Sequence, residues 1–429
     1  MKTTTAIPPG DDFKEIQEEI IQNINNPKEL EKLYRHHKIQ FQGAFKAIYP
    51  GLNEHATIQI WHERLNFEQE EIGWGRKNEF LFVVVAAFIT GLLAKIPWFL
   101  GINYEYFIIK DTGLVVFPVL MAYFSWRQKA SIQQLIVPTV LVLLSAVYIN
   151  FLPNNATSDS IILACIHLPI FLWTILGFTF IGGNLTATNK KIDFLRFNGD
   201  FVVMTTVIVL SGILFTGLTM GLFTIIGIKI ESFYAEHIGI WGLAAVPVLS
   251  TFLVQNNPQL VSKISPVIAK IFTPLVFVTL VIFLVTIMYT GKNIYDDRNF
   301  LLLFNALLIG VMAIILFSVT EATKNTIGKI NGIILCGLSI LTIVVNLVAL
   351  SAIAFRLVEF GITPNRVAVL GANLLIFINL ILVARQLLQA VRGKSDVQKV
   401  EQVIAAFLPV YGIWTALVTF GFPLLFGFK

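Results

Sequence analysis

Residues 160–182 read SIILACIHLPIFLWTILGFTFIG, a run that holds no Asp, Glu, Lys or Arg. A helix over these residues rises about 34 Å, enough to cross the hydrocarbon core of a bilayer. Its apolar residues form one continuous block, not a stripe at helical spacing, so a bilayer suits it better than one side of a soluble core. Blocks of this kind recur along the chain. Three precede it, at 80–100, 108–126 and 135–151, and seven follow, at 201–223, 239–254, 268–290, 300–320, 330–355, 367–388 and 404–425. The expectation is an all-α, polytopic helical membrane protein with about 11 transmembrane helices. The block at 239–254 is short, with Pro247 near its middle, and Lys110-Asp111 weakens the start of the second.

Composition agrees with this reading. The 429 residues are 56% hydrophobic and only 13% charged, about half the usual charged share of a globular domain, and mean hydropathy is +0.76. Soluble enzymes, nucleic-acid readers and disulfide scaffolds are excluded. The net charge of +5 is small, and the basic residues lie between the apolar blocks, which suits orientation by positive charge and not nucleic-acid binding. Cys165 and Cys336 each sit inside an apolar run and read as two buried, unreactive thiols. The polar, acidic opening from Asp11 to Glu19 is no cleavable leader, so the first apolar helix is expected to direct its own insertion.

Residues 1–79 form a separate polar section. Asn26-Pro27 marks a helix start, since Asn caps free N–H groups and Pro fits the first helical position. Leu30, Leu33 and Tyr34, then Phe41, Phe45 and Ile48, then Ile58, Trp61 and Leu65 each make an apolar stripe. Three or four short amphipathic helices are predicted. They are too few to carry a large core alone, so packing on the membrane part, the bilayer surface or a protein partner is expected. Residues 80–429 form the transmembrane bundle. Placing Arg76, Lys77, Arg127, Lys129, Lys190 and Lys191 inside gives a clear excess of positive charge on that face. This orientation puts the N-terminus in the cytoplasm, the C-terminus outside and the chain in a bacterial inner membrane.

The most distinctive connection is RLVEFGITPNR, 356–366. Arg356 and Glu359 stand three apart and can pair on one helical face. Gly361 suits the left-handed conformation that ends a helix, and Pro364 blocks its resumption. Thr363 or Asn365 can cap the next helix, with Arg366 at its start. Two readings stay open: a salt-bridged hairpin holding two spans in register, or a site for a small solute or an anionic lipid headgroup, or half of a gate. Arginine at a helix start favours the second, because the dipole there is positive.

This loop, with the Trp61-His-Glu-Arg64-Leu65 segment before the first span, resembles a family of bacterial polytopic, permease-like integral membrane proteins of unknown function, in its Bacteroidetes-type members. The resemblance implies membrane class and bacterial origin. It implies no activity, substrate or catalytic residue.

His167 lies well inside its span, two residues before Pro169. An imidazole there can relay protons or simply bond a neighbouring helix, and no carboxylate stands at an obvious matching depth. Asp200 and Glu321 read as helix-end residues. Asn305, Asn346, Asn373 and Asn379 dot the C-terminal spans and can coordinate a polar solute or link helices. Gly217 and Gly221 give a small-residue packing face. Pro118, Pro138, Pro169, Pro247 and Pro274 interrupt five spans. Phosphate-binding, nucleophile-elbow and zinc-helix motifs are absent from the sequence. No catalytic residue, cofactor or metal is therefore expected. The reading is permease-like transport of a small solute, with a membrane scaffold or regulatory subunit acting through residues 1–79 as the alternative.

Overall fold

A computed structural model describes residues 11–52, 55–68, 75–155, 157–225, 230–258, 329–393 and 398–429, with scattered positions between 273 and 318. The described residues are helical throughout, without a strand. The chain divides into two compact units, Met1–Gly73 and Trp74–Lys429.

The first unit holds α1 (Asp11–Gln22), α2 (Pro27–His36), α3 (Lys38–Leu52) and α4 (Ala56–Glu68). Asn26 caps α2, accepting from Glu29 N at 3.5 Å, and Pro27 stands at its first position. The apolar stripes meet one another. Ile16, Ile20, Leu30, Tyr34, Phe41, Phe45, Ile58, Trp61 and Leu65 bury into one cluster. The section therefore has a small apolar core of its own. The aromatic residues make it possible: Tyr34, Phe41 and Trp61 pack with ring centroids 5.1–5.4 Å apart, and large rings fill a small core with few residues. Arg64 lies over the Trp61 ring at 4.6 Å and bridges back to Glu31 at 2.6 Å, tying α4 to α2.

The second unit holds α5 (Lys77–Ala94), the short α6 (Ile96–Leu100), α7 (Tyr104–Arg127), α8 (Ile132–Phe151), α9 (Asp159–Phe180), α10 (Thr188–Ile225) and α11 (Glu231–Asn256). After these come α12 (Lys329–Phe360), α13 (Pro364–Val391) and α14 (Gln398–Leu425). Nine helices among the described residues are long and apolar enough to cross a membrane, all of these but α6. They make the chain a multi-pass membrane protein. The blocks expected at 268–290 and 300–320 lie mostly outside the described residues.

Two spans are fuller than their sequence suggested. Helix α7 runs 24 residues straight through Lys110-Asp111. Helix α11 reaches 26 residues, with one π-helical turn at Ala235–Gly239. A second π turn, Leu417–Gly421, interrupts α14. Pro118, Pro138, Pro169 and Pro247 all lie inside continuous helices.

Hydrogen bonds fix which helix ends share a face of the bundle. Gln128, after α7, donates to Phe180 O at the end of α9 at 2.8 Å, and Gln134 in the first turn of α8 donates to Gly182 O at 3.0 Å. Arg127 reaches Glu79 at the start of α5 and Gln255 O at the end of α11. Arg196, near the start of α10, pairs with Glu401 near the start of α14 at 2.9 Å. At the opposite face, the carbonyl of the last residue, Lys429, accepts from Ser160 N at 2.9 Å.

Candidate functional site

The 356–366 loop folds much as its residues dictate. Helix α12 continues to Phe360, and Gly361 takes φ +78°. Thr363 caps α13, its hydroxyl accepting from Arg366 N at 3.4 Å, with Pro364 in the first turn. The arginines behave otherwise than expected. Among the described residues no ion pair joins Arg356 to Glu359. Glu359 is exposed, while Arg356 turns onto the Phe360 ring at 5.9 Å, with its Nη1 buried and lacking an acceptor. Arg366 lies over the same ring at 5.6 Å and donates to Phe360 O and Gly361 O at 2.7 and 2.6 Å. Its anionic partner is thus the carbonyl end of α12, whose dipole is negative there. Arg366 ties the end of α12 to the start of α13.

Asn346 lies ten residues earlier on α12, about 15 Å along the axis. Its side chain is fully buried and donates to Asn373 O of α13 at 3.1 Å, leaving Oδ1 without a donor. Asn379, also fully buried, donates to the Tyr411 hydroxyl of α14 at 2.8 Å, and its Oδ1 is likewise unpartnered. Two further buried donors without partners lie on α14, Trp414 Nε1 and Thr419 Oγ1, the latter in the π turn. The Trp414 ring packs against Gly371 of α13, two residues from Asn373. Three of these groups, on Asn346, Asn379 and Trp414, lie where α13 meets α12 and α14, while the turn that bears Thr419 packs mainly on α9. Each costs about 1–3 kcal/mol when nothing meets it, and water is scarce in a membrane interior.

His167 stands apart from these residues. It is half-buried on α9, and its Nδ1 bonds Leu163 O of its own helix at 2.9 Å. The structure does show a carboxylate at its depth, which sequence reasoning missed. A Cβ on Gly113 of α7 would meet Pro169 Cα of α9 at 3.2 Å. The two helices end at one face and run parallel, so Asp111 and His167, two residues before this contact, lie level.

Lys110 and Asp111 form the second polar centre. Both are buried. Lys110 Nζ donates to Leu152 O and Asn154 Oδ1, each at 2.7 Å, and Asp111 accepts from Asn150 at 2.7 Å. The signal for this was present in sequence: amides at 150 and 154 close the following span at the end where α7 begins. Asp200 also lies inside its helix, buried more than three turns from the start of α10, and not at a helix end as expected.

A third network closes the opposite face. Buried Glu79 accepts from Tyr123 Oη at 2.7 Å, Asn256 Nδ2 at 3.0 Å and Arg127, joining α5, α7 and α11. Composition placed Glu79 in the polar section; its bonds place it in the bundle. Among the described residues no group of three His, Cys, Asp or Glu side chains is arranged to hold a metal ion.

The chain matches no protein family, no curated protein and no solved structure.

Proposed function

We propose that the chain is a permease-like protein that carries a small polar solute along the seam of α12, α13 and α14. The supporting observation is the pair of fully buried amide oxygens, on Asn346 and Asn379, that meet no donor. Helix linkage explains the Nδ2 groups of both residues but leaves those oxygens idle. A solute with N–H or O–H donors, or water on its path, satisfies them. The π turn in α14 lies on the same helix as Tyr411 and Trp414, and such turns cluster at functional sites. Arg356, with one buried donor unused, stands at the mouth on the same helix. The loop's likeness to bacterial permease-like proteins fits this reading, and so does a place in the inner membrane.

The test is water access. In a chain with Cys165 and Cys336 replaced by alanine, Asn346→Cys and Asn379→Cys are expected to react with a small hydrophilic thiol reagent in intact membranes. Leu380→Cys, fully buried on the next position of α13, is expected to stay inert. Equal inertness at all three positions overturns the path.

The scaffold alternative loses ground, because the apolar stripes of the N-terminal unit are spent on its own core. A partner there would meet a mostly polar surface on which Ile21 and Ile60 stand exposed.

A further inference from the structure

A large cavity in the bundle lies away from the solute seam. It is a half-open cleft of about 1190 Å³ between α7 and α8, with the start of α5 at its mouth. That exceeds the roughly 300–1,000 Å³ of small-molecule pockets. Its two ends differ in chemistry. At the bundle face it is lined by Arg76, Lys129 and Trp126; about 16 Å deeper, from Lys129 to Pro118 along α7, it is lined by Pro118, Pro138 and Leu143.

We propose that this cleft is a site for one anionic phospholipid, with its phosphate at Arg76 and Lys129 and an acyl chain lying along the proline-lined floor. Three observations carry the assignment. Charge is the first. Arg127 is committed to Glu79, but the exposed side chains of Arg76 and Lys129 have no partner among the described residues. Among the described residues the mouth is therefore cationic on balance.

Position is the second. The mouth lies where α5 begins and α7 ends, the level of lipid headgroups, where Trp126 is half exposed. Continuity with the bilayer is the third. Leu143, 59% exposed, belongs both to the cleft and to the apolar face of α8 that runs through Ile136, Val140, Leu144 and Val147. A chain entering sideways from the bilayer leaves no apolar face behind. Prolines stand on both walls, each removing a backbone N–H from its helix.

A charged mouth above an apolar floor suits an amphiphile lying lengthwise. A free anion would leave the floor empty, and a zwitterionic lipid would leave the cations uncompensated.

The test is native mass spectrometry of the full chain in mild detergent, titrated with phosphatidylglycerol or with phosphatidylcholine of the same acyl chains. One phosphatidylglycerol per chain is expected, retained at least tenfold more tightly than phosphatidylcholine. Arg76→Gln with Lys129→Gln should erase most of that preference, about fivefold for each cation. Arg127 is left in place because its loss would strand the buried Glu79. Ala122→Trp, which fills the cleft without changing charge, should expel either lipid. Lys190→Gln, an exposed cation outside the cleft, should change nothing. Equal retention of the two lipids, or phosphatidylglycerol binding that survives the double glutamine variant, overturns the site. So does an equal loss in Lys190→Gln, which would mean general charge attraction. Should Ala122→Trp fail to fold, the exposed glutamine variants decide the matter alone.

Discussion

Glu31 shows how a single side chain sets a pH limit on the N-terminal unit. Hydrogen bonds from Arg64, then from Arg35, hold its carboxyl below the usual carboxylate range, against a smaller opposing effect of burial. Its folded pKa therefore lies below its unfolded one. The stability it contributes is fully present above the unfolded value near 4.3 and fades as pH falls through the folded value. The protection of amides in α2 and α4 of the full chain, taken relative to intrinsic exchange at each pH, should fall on acidification below about pH 4.5. In Arg64→Ala that dependence should flatten; an unchanged profile would mean that the bridge does not hold these helices. Residues of this kind are hard to read in advance. Glu31 and Arg64 stand 33 positions apart, and nothing local pairs them. Arg366 makes the same point inside the bundle. Its place at a helix start was legible, but its partner, the end of α12, was not. That partner exists only once the turn at Gly361 brings the carbonyls of 360 and 361 within reach.

At the scale of elements, glycine positions separate spacing from contact. Gly217 and Gly221 have the small-residue spacing of a helix-packing face, yet a Cβ on Gly217 would meet nothing within 4 Å. Close approaches lie elsewhere, at Gly91 beneath Trp241 and at Gly371 beneath Trp414. In each case a large indole on a neighbouring helix takes the place of the missing Cβ. Gly371→Ala should therefore cost about 1–3 kcal/mol through overpacking, read as a lower melting temperature in detergent. Gly217→Ala should be neutral or slightly stabilising, because alanine is the better helix former. Equal effects of the two would remove the distinction. Long apolar elements were legible from composition, because a membrane span has to satisfy its backbone internally and shows it in twenty continuous residues. Which face of each helix meets which neighbour was not, because lipid and protein interior are equally apolar and leave no stripe to read. The same reason hid the burial of Lys110 and Asp111. In sequence they weakened the start of the second span, and only the amides of Asn150 and Asn154 turn them into a satisfied centre.

For the whole molecule, the bonds at helix ends define two faces, and among the described residues the charge differs between them. Arg76, Lys77, Arg127, Lys129, Lys190, Lys191, Arg196, Arg392 and Lys399 lie at the face where α5, α8, α10 and α14 begin. Lys95, Arg356, Arg366 and Lys429 lie at the other, with Lys110 buried beneath it. The first set is about twice the second, and short loops rich in Lys and Arg stay in the cytoplasm. Lys429 is held at the opposite face through its carbonyl bond to Ser160 N, so the last residue and Lys190 should be reachable from different sides of the membrane. In the variant lacking native cysteines, Lys429→Cys should label in intact cells with an impermeant maleimide. Lys190→Cys should label only after the membrane is opened. Labelling of both from one side would break the helix order that places Asn346, Asn373, Asn379 and Tyr411 in one seam. Labelling of Lys190→Cys alone from outside would keep that order and reverse its direction. The phospholipid cleft would then face the outer leaflet, and the arginine-bearing loop would open toward the cytoplasm.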